Sequence, residues 1–349
     1  MIPCASAAVA DSPMSNPTDH PRCDLCGAPL GSELFHDRHP DDGPYRVYFC
    51  STCRIALTVP RPSPEEMNRL YATDRYRTRE GKRFVAPIER SVTLFNRLKS
   101  RIVTRRRKRG SILDIGCGRG LFLNIMAGEG WRTKGVEFNA ETAAYASSVY
   151  GIDVITVPDL ERIPDKEFDV ITMYHVLEHV ERPDALLDTC LRLLKDDGLL
   201  FVAVPNIASL QAVAGRSRWF HLDLPHHLYH FTTEGLLGLL RRKAFSIVAL
   251  RHFDPEQNPY GWLQTLLNRS GIRKNFLYDV LKKRELRTVR DGAWPLRDAL
   301  ATVLLLPLYL PLSLVLSLFE AAVARRGGTI EVVAEKRPGA TEGPAGRLS

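Results

Sequence analysis

The chain has 349 residues, 48 Lys and Arg against 40 Asp and Glu, and a net charge of +8; 44% of residues are hydrophobic and 25% charged. That size allows two domains with an ordinary core, and the composition excludes a wholly disordered chain. The basic excess is local: Arg101–Arg109 holds six basic residues and Arg269–Arg297 holds nine against three acidic, runs that attract phosphates of nucleic acid or anionic lipid.

Residues 1–22 are rich in Ala, Ser, Pro and Asp and read as a disordered N-terminus. They show neither a basic start nor a sustained apolar core, so no secretory signal is expected and the chain is placed in the reducing cytoplasm. There the seven cysteines are expected as thiols. Four of them form two Cys-x-x-Cys knuckles, Cys23 with Cys26 and Cys50 with Cys53, separated by 23 residues. Four thiolates at that spacing suit a tetrahedral structural zinc, and Tyr45–Phe49 reads as the strand that delivers the second pair. Residues 23–59 are therefore expected to form a zinc ribbon whose small core needs the metal.

Residues 60–110 read as a linker with lid helices. Pro60-Arg61-Pro62 is a stiff break, and Ser63 can cap a helix that starts at Pro64-Glu65-Glu66. A second helix is expected over Pro87–Lys108, with Ile88, Val92, Phe95, Leu98 and Ile102 at helical spacing. Tyr71, Tyr76 and Arg77 are candidates for the lid.

The most informative stretch follows. Ile112-Leu113-Asp114-Ile115 is a short apolar strand, Gly116, Gly118 and Gly120 alternate after it, and Leu121–Ala127 reads as a helix. Glycines there admit a ligand to the backbone, and the helix N-terminus faces it. Glu137, 23 residues beyond Asp114, closes another strand, at a spacing that suits a carboxylate on ribose hydroxyls. The dinucleotide fingerprint fails because Leu121 stands where its last Gly belongs, and no Lys-Ser or Lys-Thr follows the glycines. Asp114 repels a pyrophosphate and suits a ligand with an ammonium group.

These residues resemble the first motif of the class I S-adenosylmethionine (SAM)-dependent methyltransferases. Further features follow in that family's order: Asp159-Leu160 after a strand, where the family places adenine contacts; Phe168-Asp169-Val170-Ile171 as a fourth strand; and Gly198–Asn206 as a fifth. The resemblance spans 111–252 and a last strand within 328–337. It implies an α/β fold, a Rossmann-like seven-stranded sheet with helices on both faces. It also implies SAM contacts from Asp114, Gly116, Gly118, Gly120, Glu137, Asp159, Leu160 and Tyr174. Some sugar C-methyltransferases likewise carry a Cys-rich zinc module before this domain; the long extra C-terminal domain of that group is not expected here.

His175, Glu178 and His179 match the letters of an inverted zinc-peptidase motif. Their place after a buried strand, with no distal carboxylate to nominate, argues against a protease. Tyr174 and His175 are expected at the strand's carboxyl end, in the pocket. Glu178-His179 resembles the pair in ubiquinone-pathway O-methyltransferases, where magnesium is associated with this segment; those enzymes have an acid in place of His175, and magnesium is not assigned. Arg218–Thr232 then gathers His221, His226, His227 and His230 with Asp223 where an acceptor should sit. His226 or His230 is expected as the base that removes the acceptor proton, oriented by Asp223, with His175 beside them. A second metal site in this loop stays open as an alternative, with no outer-shell partner to support it. Thr232 or Thr233 is expected to cap a helix over Glu234–Lys243.

Residues 253–327 form a basic, then apolar, helical insertion before the last strand. Ala299–Phe319 runs 21 residues without a charge, interrupted by Pro307 and Pro311. It is long enough to span a bilayer, yet the strands on either side of it pair in this fold and must share one side. A re-entrant, interfacial or buried segment with a bend near 307–311 is expected. The tail 338–349 is expected to be flexible. Together these features predict a SAM-dependent methyltransferase, cytoplasmic and peripheral at the inner membrane face. It is expected to O-methylate a small-molecule, lipid-linked or glycan acceptor while touching anionic lipid. The rival reading is a nucleic-acid-modifying or nucleic-acid-binding protein using the ribbon and Arg101–Arg109. It is disfavoured because the fourth strand ends in Met173-Tyr174-His175-Val176, without a base-methylation motif.

Overall fold

A computed structural model describes residues 21–35, 43–63, 65–67, 69, 86–281 and 296–337. Its centre is a seven-stranded sheet. Strands β3 (Ser111–Ile115), β4 (Arg132–Val136), β5 (Asp153–Ile155), β6 (Phe168–Tyr174) and β7 (Leu194–Pro205) run parallel. β10 (Thr329–Lys336) is antiparallel to β7 and to β9 (Phe245–Arg251), giving the order β5-β4-β3-β6-β7-β10-β9. Helices Leu121–Gly128, Ala140–Tyr150, Pro183–Leu193 and Thr233–Arg242 supply the crossovers. β3 is buried at all five positions, as an inner parallel strand covered on both faces requires. The expected seven-stranded α/β fold is present.

The chain steps outward from β3 to β4 and β5, then returns to place β6 on the other side of β3. This reversal is a topological switch point. The loops after β3 and β6 diverge there and leave a crevice at the carboxyl ends of the strands.

The cysteine segment is less separate than a ribbon of 23–59 implies. β1 (Arg46–Cys50) pairs with β2 (Ile55–Val59), and β2 pairs in turn with β8 (Tyr229–Phe231), which closes the histidine loop. Ala56 stands opposite His230, and Leu57 and Ile55 join the main core. The Thr232 hydroxyl caps helix Thr233–Arg242 at Gly235 N and donates to Arg54 O at 2.6 Å. The histidine loop is thus anchored by the cysteine module.

The capping expectation at Ser63 holds: Glu66 N donates to Ser63 Oγ and Ser63 N to Glu66 Oε2, a reciprocal capping box. The following helix covers Ala86–Thr104 and stops short of the basic residues Arg105–Arg109. Tyr71, Tyr76, Arg77, the termini 1–20 and 338–349, and the centre of the basic run, 282–295, lie outside the described residues.

One local expectation changes. The apolar segment does not bend into a hairpin; Leu296–Ala322 is a single helix of 27 residues that contains Pro307 and Pro311. Each proline forfeits one N–H bond, and the rest of a long ladder carries the helix through. After β6, no α-helix presents His175, Glu178 and His179 on one face. His175 adopts φ +56, and only a 3-10 turn, Leu177–His179, follows. A left-handed residue at that point prevents α-helical continuation.

Candidate active site at the switch point

The glycine turn closes on the neighbouring strand. Gly116 N and Cys117 N both donate to Val136 O, at 2.8 and 3.0 Å. Gly116, Gly118 and Gly120 have φ +76, +54 and +78, a region costly for residues with a Cβ. Added methyl groups at Gly116 and Gly120 would strike Val176 at 2.4 Å and Ile152 at 2.6 Å, whereas one at Gly118 would meet no protein atom within 4 Å. Gly116 and Gly120 are close-packing glycines; Gly118 is the one whose backbone borders open space.

Glu137 follows β4 directly and folds over this turn. One carboxylate oxygen accepts from Gly118 N at 2.8 Å; the other accepts from Phe138 N and Asn139 N at 2.8 and 3.0 Å. Asp114 lies below, 5% exposed, its carboxylate taking the Thr172 hydroxyl. Burial raises its pKa to about 7, opposed by that hydrogen bond and by the Lys99 ammonium. Because the folded value is raised, ionisation of Asp114 weakens the fold as pH climbs from the carboxylate range towards 7. A cation placed beside it reverses that loss. Asp159 caps the turn Val157–Arg162 by accepting from Thr156 Oγ1 at 2.6 Å and pairs with Arg162, while the Leu160 side chain is buried in the core.

At the end of β6, Tyr174 and His175 flank the crevice. The Tyr174 hydroxyl is enclosed without a hydrogen-bond partner among the described residues, and the Lys99 ammonium lies 5.2 Å from its ring. Lys99 comes from helix Ala86–Thr104 and pairs with Glu256 at 3.0 Å. Sequence periodicity marks it only as a polar position, so this wall of the site was not foreseen. His175 Nδ1 lies 3.3 Å from Glu178 Oε1, and its Nε2 is enclosed with no hydrogen-bond partner among the described residues. Glu178 is 1% exposed. The His221 ring stacks on His175 with centroids 6.4 Å apart.

The histidine loop separates its members. Asp223 Oδ1 lies 3.3 Å from His226 Nδ1, so the expected pair is brought together, with His226 only 1% exposed. His230 is turned to the cysteine module, its Nε2 3.0 Å from Thr58 Oγ1. Burial pushes the His230 pKa down to about 3, so it stays neutral there. His221 and His227 are likewise pushed down to about 3 by burial.

Residues 88–250 match the family model of a methyltransferase domain. Over 106 residues the chain is 41% identical to a ubiquinone biosynthesis O-methyltransferase of Glaesserella parasuis, covering 27% of this chain and 45% of that protein. The enzyme of the same name from Caulobacter vibrioides is 38% identical over 111 residues, 30% of this chain and 44% of that one. The chain therefore spans less than half the length of these curated relatives. A solved SAM-dependent methyltransferase from Archaeoglobus fulgidus aligns with a TM-score of 0.44 and 20% identity, over 70% of this chain and 93% of that one.

Residues 88–250 form a class I SAM-dependent methyltransferase domain.

The methyltransferase site fits its donor. SAM carries an ammonium, a sulfonium and a ribose but no phosphate. Gly118 leaves room at the backbone, the Glu137 carboxylate borders the same turn, and Asp114 holds a second carboxylate below it. Beside this domain, Cys23, Cys26, Cys50 and Cys53 bring their sulfurs within 4.8 Å of one another. The Cys23–Cys53 and Cys26–Cys50 Sγ separations are 3.9 and 3.6 Å. Zn–S bonds of about 2.3 Å set tetrahedral S···S edges near 3.8 Å, so the quartet fits a closed structural metal site.

Proposed function

We propose that this chain is a SAM-dependent O-methyltransferase acting at an anionic membrane face, with His175 as its general base and zinc in the cysteine quartet. The observation that carries the chemistry is His175 itself. It stands at the switch point, one strand from Gly118, with Nδ1 beside the buried Glu178 carboxylate and Nε2 left unpartnered. A carboxylate on Nδ1 fixes the tautomer and raises the basicity of Nε2. SAM, when bound, supplies an electrophilic methyl group on a good leaving group. His175 Nε2 receives the acceptor's hydroxyl proton as the oxygen takes the methyl group, and Glu178 steadies the imidazolium. His226, more deeply buried, and the half-buried Asp223 beside it shape the acceptor side. His230 serves the junction with the cysteine module. Asp159 and the backbone at Leu160 border the adenine.

The membrane reading rests on helix Leu296–Ala322, whose polarity is inverted. Its buried seam holds Asp298, Thr302, Ser313, Ser317 and Glu320. Glu320 accepts from Gln211 N and from Trp262 Nε1. Its outward face carries Leu300, Val303, Leu304, Leu308, Val315 and Leu318, each about half exposed or more. A water-facing helix has the opposite arrangement. The seam packs on helix Gln257–Arg269, and β9 and β10, on either side of the insertion, are paired. The helix, about 40 Å long at 1.5 Å per residue, therefore lies along the bilayer interface without crossing it. Arg297, Arg325 and Arg326 bracket it with charge for anionic headgroups. A lipid-linked acceptor suits a catalytic face held beside such a surface.

Vesicle flotation tests this. The full-length protein is expected to float with phosphatidylglycerol vesicles, less so as salt rises, and to float weakly with phosphatidylcholine alone. Protein that stays at the bottom of both gradients and elutes as a dimer would assign the apolar face to a second copy.

A further inference from the structure

We infer that Thr58 and Arg61 are positioning residues for the acceptor side of the site. They tie residues 226–228 to the cysteine quartet, so that the shape of the acceptor side depends on the quartet's metal while that of the donor turn does not. The role presupposes zinc in the quartet and an acceptor beside His226, as proposed above.

Residues 226–228 are held from two sides. On one side Leu228 N donates to Glu178 O at 2.8 Å, and His179 Nδ1 lies 3.0 Å from His226 O. This is the turn whose Glu178 stands beside His175. On the other side lies the cysteine module. Thr58 Oγ1 donates to His227 O at 2.6 Å, and Thr58 N donates to Leu228 O at 3.1 Å. Arg61 Nη1 donates to the same Leu228 carbonyl at 2.6 Å.

Thr58 is buried, and its hydroxyl has one proton. The His227 carbonyl can only accept, so it takes that proton. Towards His230 Nε2, 3.0 Å away, the hydroxyl oxygen can then only accept, which sets His230 as the Nε2–H tautomer. Thr58→Val would withdraw both partners inside a buried site, where a lost hydrogen bond is most costly.

Both knuckles reach this junction. Asp24, between Cys23 and Cys26, pairs with Arg61 at 2.6 Å, and the Arg61 guanidinium covers the Tyr229 ring at 4.4 Å. Arg54, the residue after Cys53, donates its N–H to Cys50 O at 2.8 Å and accepts the Thr232 hydroxyl at its carbonyl. The first knuckle therefore holds the entry to β8 and the second holds its exit. Four thiolates keep one geometry only around a metal, so Asp24 and Arg54 take their places from the ion. The donor turn is shaped differently. Its bonds, Gly116 N to Val136 O and Gly118 N to Glu137, come from β4 and the residue after it.

The test is hydrogen exchange of the full-length protein over residues 226–231, read by mass spectrometry together with zinc content and calorimetric SAM affinity. Removing zinc with a chelator is expected to raise exchange there at least about tenfold, with SAM affinity changed by no more than about twofold. Thr58→Val should keep its zinc and its SAM affinity and raise exchange over 226–231 about tenfold. Thr58→Ser, which restores the hydroxyl without the methyl group, should exchange as wild type does. A residue that only fills space would give the reverse order of the two variants. Protection in Thr58→Val equal to wild type would overturn the positioning role. Protection that survives zinc removal would overturn the metal's part in it. Loss of SAM binding together with the loop would overturn the division between the two sides. Zinc content separates failure of the metal assignment from failure of the role: a chain that takes up no zinc refutes the metal's part, and Thr58→Val then decides the rest.

Discussion

His175→Ala is expected to slow methyl transfer by about 10²–10⁴-fold, the usual range for a general base, while SAM still binds. The loss follows from geometry. His175 Nε2 is enclosed at the carboxyl end of β6 and lacks a hydrogen-bond partner among the described residues, and Glu178 stands 3.3 Å from its other nitrogen. Alanine removes the proton acceptor but leaves the Gly116–Gly120 turn untouched. The residue already holds φ +56, which strains histidine and alanine alike, so the backbone should not rearrange. Glu178→Gln should give a smaller loss, because the amide can still orient the ring but no longer balances its charge. His226→Ala is the comparison that separates the two pairs. If turnover falls with His226→Ala and survives His175→Ala, the base belongs to Asp223–His226.

Glu137→Ala should weaken SAM binding by at least about 100-fold, or about 2.8 kcal/mol at 1.4 kcal/mol per decade. The carboxylate does two jobs. It accepts from Gly118 N, Phe138 N and Asn139 N, which holds the turn in shape, and it faces the crevice where ribose hydroxyls are assigned. A hydrogen bond to a charged group contributes roughly 1.5–3 kcal/mol, so losing either function alone accounts for most of the change. Glu137→Gln keeps an acceptor and should recover part of the affinity. Calorimetric titration of the variants reads this directly; affinity unchanged in Glu137→Ala would remove the residue from the ribose site.

Much of this was legible in the residues because its signals are local. The strand Ile112–Ile115 and the glycines after it lie within one turn of chain, and three left-handed glycines sit where they were expected. The two Cys-x-x-Cys knuckles converge as their spacing suggests. Contacts between distant segments carried no such signal. β8 has three residues, too few for a period to show, and its pairing with β2 is a tertiary event. That pairing takes His230 to Thr58. Lys99 reaches Tyr174 from another helix, and His227 meets Glu178 and His179 from another loop. The prolines at 307 and 311 suggested a bend, but a helix packed along one side by Ser313, Ser317 and Glu320 tolerates them. The inverted polarity of that helix was obscured because 21 uncharged residues look alike until packing shows which face is covered.

The central claim is that the turn between Asp114 and Glu137 holds SAM. Calorimetric titration of the full-length protein with SAM, and separately with NAD, tests it most directly. The account predicts saturable binding of SAM at one site per chain and none of NAD. Binding of NAD with indifference to SAM would contradict it.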